Sequence, residues 1–173
     1  YKKKPYRLPT PLSEQTIPTS IRGGKSVLRV DQITHDALNA MSVAAEEMGP
    51  VGDRPVLLDL SGRLPIAVYH MGAKSPLSPW LLTSQKGSQS LFDYSVRMLS
   101  EKQLAEAWIL DVPKREGNLL PTAIEASGIS LTRDYRVVAR FFMPYVNEEA
   151  VILAPLNQIQ NLENRAFCLG AEH

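Results

Sequence analysis

The most constraining feature of the chain is a near-continuous apolar segment at residues 55–60, Pro-Val-Leu-Leu-Asp-Leu, which a short polar turn follows. A strand that is apolar at consecutive positions is buried on both faces, which is typical of a parallel sheet covered by helices. Residues 104–112 begin as a helix and end in a similar run, Trp-Ile-Leu-Asp-Val. The two runs predict strands at the centre of a sheet.

Helical signals alternate with these strands. Apolar residues recur every three or four positions up to Met48, with Asp31 or Thr34 as the N-cap. Pro65 and Gly72 bound a second helix. The other predicted elements are helices at residues 91–99, capped by Ser88 or Ser90, and at 121–127, and strands at 25–30, 135–143 and 150–153. The sequence therefore predicts an α/β fold, a three-layer sandwich with a mainly parallel sheet and an antiparallel edge hairpin near the C-terminus.

Length and composition indicate one folded domain. The chain has 173 residues, of which 44% are hydrophobic, enough for one core. Residues 1–24 contain four prolines and the basic, aromatic start Tyr-Lys-Lys-Lys-Pro-Tyr-Arg, but no apolar period. They predict an extended Pro-rich basic leader or tether, and residues 25–173 predict a single α/β domain.

Several classes of function are disfavoured by composition. The 19 basic and 18 acidic residues nearly balance, which argues against a nucleic-acid partner. Cys168 is alone, so no internal disulfide is expected, and His35, His70 and His173 have no metal-ligand spacing. No run approaches the about 20 apolar residues of a membrane-spanning helix. The sequence predicts neither a metal site nor a cofactor.

The turn after the first buried strand is the best candidate for a binding site. Ligands of open α/β sheets bind at the carboxyl ends of strands, and Asp59, Ser61, Gly62 and Arg63 occupy such a position. Carboxylate and hydroxyl groups bind sugar hydroxyls, and an arginine pairs with phosphate or carboxylate. In the later loop, Trp80 offers a ring for stacking on a sugar, and Lys86 and Ser88 lie nearby in sequence.

The same turn also has a purely structural interpretation. Asp59 can accept hydrogen bonds from backbone N–H groups at the strand end, and Ser61 can cap the next helix. The dinucleotide fingerprint is missing because Gly62 is its only glycine, and no buried strand precedes Gly24-Lys25-Ser26, as a phosphate-binding loop requires. The Gly-x-Ser-x-Gly motif of serine hydrolases is absent, so no catalytic residue is predicted.

Five segments carry a resemblance to a known group of proteins. They read PLSEQT from Pro11, VLLDLSGRLPIAVYHMGAK from Val56, PWLLTSQKGSQS from Pro79, LAEAWIL from Leu104 and LPTAIEASGISLTRDYRVVAR from Leu120. Together they resemble the C-terminal soluble region of bacterial polytopic inner-membrane proteins that are glycosyltransferase-like, of the class that uses lipid-linked sugar donors. The chain keeps the Asp-Leu-Ser-Gly of that group and, of the Ser-Pro-Gly that follows there, Pro65, with Arg63-Leu64 before it and Ile66 after it. Of a later glycine-rich loop it keeps only the last Gly-Ser.

The resemblance implies a membrane-associated role. It implies a domain on the periplasmic side of the bacterial inner membrane, tethered by the leader to a last transmembrane helix and assisting donor or acceptor binding. Its partners are then the parent transmembrane region, the membrane surface and a sugar or lipid-linked sugar, with catalysis in the parent protein outside this chain. Lys2, Lys3 and Lys4 favour the cytoplasmic side instead.

Two other functions remain open at this point. The first is a free-standing carbohydrate- or nucleotide-binding module that uses Asp59, Ser61, Arg63, Trp80 and Lys86. The second is a partner-docking domain without a small ligand. Asp59 and Trp80 side by side in one pocket would favour ligand binding over docking.

Overall fold

Strands and helices alternate along the chain in a computed structural model, which describes residues 10–21, 26–62, 64–76, 85–113, 118–144 and 148–156. The strands are β1 (Ile17–Ile21), β2 (Ser26–Val30), β3 (Leu57–Asp59), β4 (Trp108–Asp111), β5 (Tyr135–Phe142) and β6 (Glu149–Pro155). The helices are α1 (Gln32–Glu47), α2 (Pro65–Met71), α3 (Ser88–Arg97), α4 (Glu101–Ala105) and α5 (Thr122–Glu125). The chain is therefore a mixed α/β protein.

The main sheet has four strands in the order β3-β4-β6-β5. β3 and β4 are parallel, whereas β6 pairs antiparallel with both β4 and β5. The predicted C-terminal hairpin is present, with β5 as the outer strand. The prediction of a mainly parallel sheet is not confirmed, because the hairpin joins the sheet through β6 and makes it mixed.

The central strands are buried on both faces, which explains their continuous apolar sequence. Leu57 and Leu58 are both fully buried and belong to different apolar clusters. The Leu57 cluster contains side chains of α1 and α2, and the Leu58 cluster contains side chains of α3, α4 and α5. Successive side chains of a strand point to opposite faces, so the two helical groups pack on opposite sides of β3.

Local sequence signals predicted most of the helix boundaries. The Asp31 carboxylate accepts a hydrogen bond from the Thr34 backbone N–H at 2.8 Å and caps α1, as predicted. Pro65 opens α2, and Gly72 ends it with a φ of 58° in the left-handed region. α3 differs from the prediction, because it begins at Ser88 after Gly87 and has no side-chain cap.

A separate two-stranded sheet contains part of the predicted leader. β1 pairs antiparallel with β2, so residues 17–21 are extended but fold against the next segment. Thr19 and Ile21 are buried, and the Thr19 hydroxyl lies 2.8 Å from Nδ1 of His35 in α1. The alternation of Ile17, Thr19 and Ile21 is a strand pattern that the surrounding prolines obscured. The rest of the predicted leader, residues 1–9 and 22–24, lies outside the described residues.

Candidate functional site

The candidate site lies at the edge of the sheet where the parallel strands β3 and β4 both end. Asp59 is the last residue of β3 and Asp111 is the last residue of β4. The Leu60 backbone N–H donates to the Leu110 carbonyl at 2.9 Å, which continues the pairing past Asp59. The Leu119 N–H then donates to the Leu60 carbonyl at 2.9 Å and brings residues 118–120 to the same edge.

Asp59 organises the turn between β3 and α2. Its Oδ1 accepts hydrogen bonds from the Ser61 N–H at 2.9 Å, the Ser61 hydroxyl at 2.5 Å and the Gly62 N–H at 3.1 Å. Its Oδ2 accepts from the Leu64 N–H at 3.2 Å, next to the first turn of α2. The carboxylate therefore satisfies the donors that a sharp strand-to-helix turn exposes, as the structural interpretation predicted for Asp59. The predicted Ser61 cap is wrong, because Leu64 is the N-cap of α2 and no side chain caps that helix.

The Asp111 carboxylate accepts fewer hydrogen bonds than that of Asp59. Its Oδ1 accepts from the Val112 N–H at 2.7 Å and from Nδ2 of Asn118 at 3.2 Å. Nδ2 of Asn118 also donates to the Val112 carbonyl at 2.8 Å, which fixes the amide orientation. Among the described residues, none donates to Oδ2 of Asp111 or to the buried Oδ1 of Asn118. Two acceptor oxygens at this edge thus lack a described donor.

The two aspartates share an electrostatic environment. Burial raises the pKa of Asp59, and the hydrogen bonds from Ser61, Leu64 and Gly62 oppose part of that rise. Burial likewise raises the pKa of Asp111, and the negative charge of Asp59 raises it further. The carboxyls are therefore close enough to interact, and a partner that donates hydrogen bonds would stabilise their charged forms.

The described members of the predicted site belong to two segments, the turn after β3 and the start of α3. Asp59, Ser61 and Gly62 come together in the turn, where Ser61 is fully buried and Gly62 has a φ of 59°. Lys86 is exposed before α3, and within the described part of the chain it makes no hydrogen bond or ion pair. Ser88 is buried in the first turn of α3. Arg63 and Trp80 lie outside the described residues, so their part in the predicted site stays a prediction.

Sequence reasoning missed Asp111 and Asn118. The signal for Asp111 was present, because Ile109-Leu110-Asp111-Val112 repeats the pattern of Leu57-Leu58-Asp59-Leu60. If both segments are parallel neighbours, their aspartates must reach the same edge. Asn118 had no such signal, since its position depends on how residues 118–120 return to Leu60.

The described part of the chain offers no group of three or more His, Cys, Asp or Glu side chains that would hold a metal ion. None of the helices described is both long enough and apolar enough to cross a membrane. The chain matches no protein-family model, no curated protein and no solved structure.

Proposed function

We propose that this chain is the extramembrane domain of a bacterial envelope glycosyltransferase-like membrane protein, facing the periplasm, and that it assists binding of a donor or acceptor sugar. The resemblance of residues 56–74 and of the four other segments to such proteins supports the parent class. The two helical groups on opposite faces of β3 support a three-layer sandwich for the domain. Catalysis belongs to the parent protein.

One observation carries the binding role. At the carboxyl ends of β3 and β4, Oδ2 of Asp111 and Oδ1 of Asn118 have no hydrogen-bond donor among the described residues. Sugar hydroxyls donate to such oxygens, and carboxylate acceptors make the stronger of these bonds. Asp59 contributes indirectly, because it holds the neighbouring turn in place.

The test is a titration of the ¹⁵N-labelled chain with nucleotide sugars, short glycans and soluble polyprenyl-phosphate head-group analogues, followed by NMR. We expect shifts at the Val112 backbone amide and the Asn118 side-chain amide. Asn118→Ala should weaken binding about tenfold or more, since a lost hydrogen bond to a charged or buried group costs about 1.5–3 kcal/mol.

Asp134→Asn is the matched control. Asp134 also accepts a backbone hydrogen bond, from the Ser130 N–H at 2.8 Å, but it lies in the turn before β5. Its replacement should leave the affinity unchanged. Shifts that are absent at Val112 and Asn118 with every ligand, or an equal loss of affinity in both variants, would refute sugar binding at this edge.

A further inference from the structure

The strand β2 of the two-stranded sheet has one backbone edge that nothing pairs with. Pro18 of β1 lies opposite Arg29 of β2. Proline has no N–H, so this pair cannot exchange hydrogen bonds, and Leu28 and Val30 form the bonds with β1 instead. The N–H and C=O groups of Val27 and Arg29 therefore point away from β1. Among the described residues, none forms a hydrogen bond with these backbone groups.

The side chains of β2 leave this edge open. Leu28 lies opposite Thr19, on the face of the sheet that packs on α1, and is nevertheless 49% exposed. Val27 is 61% exposed on the other face. The Arg29 guanidinium donates to the Thr16 carbonyl at 3.1 Å, so it reaches back towards β1 and away from the open edge. The edge therefore presents free backbone groups beside a half-exposed leucine.

Two other strand edges carry features that prevent pairing. On the outer edge of β1, Pro18 supplies no donor. β5, the outer strand of the main sheet, has a β-bulge between Val137 and Ala139, and the charged residues Arg136 and Arg140 lie along it. Bulges, prolines and charges are the means by which proteins keep strand edges from pairing. β2 has a continuous register with β1, and its arginine is turned towards β1.

We propose that β2 pairs antiparallel with β2 of a second copy across a two-fold axis, which joins the two hairpins into one continuous sheet. Leu28 then faces its own counterpart, and Val27 faces the partner's Arg29. Both Val27–Arg29 pairs exchange two hydrogen bonds, so the outward backbone groups of both chains are satisfied. The two Leu28 side chains form a non-hydrogen-bonded pair, the kind with the closer side chains, and shield each other from water.

A second copy fits because the edge is complementary to itself in this register. A pairing centred on Arg29 would place like charges directly opposite each other, which is destabilising. A pairing centred on Val27 would place Arg29 opposite a residue that precedes β2 and would lose bonds within the strand. The proposed register uses both outward residues of each strand. The two-stranded sheet is separate from the main sheet that carries Asp59 and Asp111, so the proposal does not depend on sugar binding.

The first test is sedimentation equilibrium of the 173-residue chain, for which we expect a reversible equilibrium between monomer and dimer. Because residue 27 faces the partner's Arg29, Val27→Glu should strengthen the dimer about fivefold and Val27→Lys should weaken it about fivefold. Ser20→Glu and Ser20→Lys are the matched controls, since Ser20 is exposed on the same face but lies on β1, opposite Val27 of its own chain. Both should leave the dissociation constant unchanged, and urea unfolding checks that every variant is folded.

The second test is disulfide cross-linking in a Cys168→Ser background, which reports the register. Leu28→Cys should form a covalent dimer under mild oxidation, because the Cβ atoms of a non-hydrogen-bonded pair lie within reach of a disulfide. Val27→Cys is its control, since Val27 faces the partner's Arg29 and not its own counterpart. Its cross-linking should be about tenfold slower or less, because the two sulfur atoms are then too far apart for disulfide geometry.

Three results would overturn the proposal. A chain that stays monomeric, and whose Leu28→Cys variant does not cross-link, would leave the edge to an extended segment of another protein. A dimer that neither Val27→Glu nor Val27→Lys changes, or one that Val27→Lys strengthens, would be held together by another surface. Equal cross-linking rates of Leu28→Cys and Val27→Cys would exclude the proposed register.

Discussion

Replacing Asp59 by alanine tests how much the turn between β3 and α2 depends on one carboxylate. The change removes the acceptor of four donors, the Ser61 N–H and hydroxyl, the Gly62 N–H and the Leu64 N–H. Ser61 is fully buried, so its donors cannot turn to bulk water. A buried donor without an acceptor costs about 1–3 kcal/mol.

The four losses do not add fully, because alanine also removes the cost of burying a carboxylate. We therefore expect Asp59→Ala to lower the free energy of unfolding by about 3 kcal/mol, a typical value for breaking a buried hydrogen-bond network. In urea the midpoint should fall by about 1–3 M, given the usual slopes for small domains. Asp59→Asn keeps one acceptor oxygen and should cost less.

The control is Asp36→Ala. Asp36 is exposed on α1, where it accepts a hydrogen bond from Nε2 of Gln32 at 2.7 Å. Its removal should change the free energy of unfolding by no more than about 0.5 kcal/mol. An Asp59→Ala variant as stable as Asp36→Ala would show that the turn does not depend on this carboxylate.

The pH dependence of the same position has a definite sign. Burial raises the pKa of Asp59 in the folded state above its ordinary value of 3.8. At a pH between the ordinary pKa and the raised pKa, the folded state binds more protons than the unfolded state. The contribution of Asp59 to stability therefore falls as pH rises from the ordinary pKa to the raised one. The Asp59→Asn variant has no carboxyl group at this position that could titrate. The stability of the wild type relative to this variant should therefore decrease from pH 3.8 upward, as urea titrations at several pH values would show.

Three further changes are expected to act locally. Gly72→Ala places a Cβ 3.1 Å from Nη1 of Arg54 at a φ of 58°. In Gly128→Ala the added Cβ meets nothing within 4 Å, so this variant should lose only the about 1 kcal/mol of unfolding free energy that a left-handed backbone costs an alanine. Gly72→Ala should lose more. Equal urea midpoints for the two variants would refute the expected clash with Arg54. Ser100→Ala removes the capping box of α4 with Gln103 and should cost about 1 kcal/mol in urea unfolding; no change would contradict the cap. Burial lowers the pKa of His70, whose Nε2 lies 2.9 Å from the Ser42 hydroxyl and 3.0 Å from the Leu38 carbonyl. Its contribution to stability is then present above pH 6.5 and lost as pH falls below it, and an NMR pKa at or above 6.5 would contradict this.

Features that depend on neighbours in sequence were predictable. The Asp31 cap and the Pro65 and Gly72 boundaries are local, and they appear where the sequence placed them. The burial of both faces of β3 follows from the adjacent Leu57 and Leu58. The insertion of β6 between β4 and β5 was not predictable, because strand order depends on contacts between residues far apart in sequence. The same reason concealed Asn118, whereas the prolines concealed β1.

The two aspartates at the sheet edge show why a motif and a site can diverge. Asp59 lies in the more conspicuous motif, yet four donors of its own chain surround its carboxylate. A ligand that used those acceptor positions would have to displace bonds that hold α2 in place. Asp111 ends the neighbouring strand in a less marked sequence, and its Oδ2 lacks a described donor. Because β3 and β4 are parallel, a turn fixed by Asp59 stays at the same end of the sheet as that oxygen. Ligand affinity should therefore depend directly on Asp111 and Asn118, and on Asp59 only through the stability of the turn.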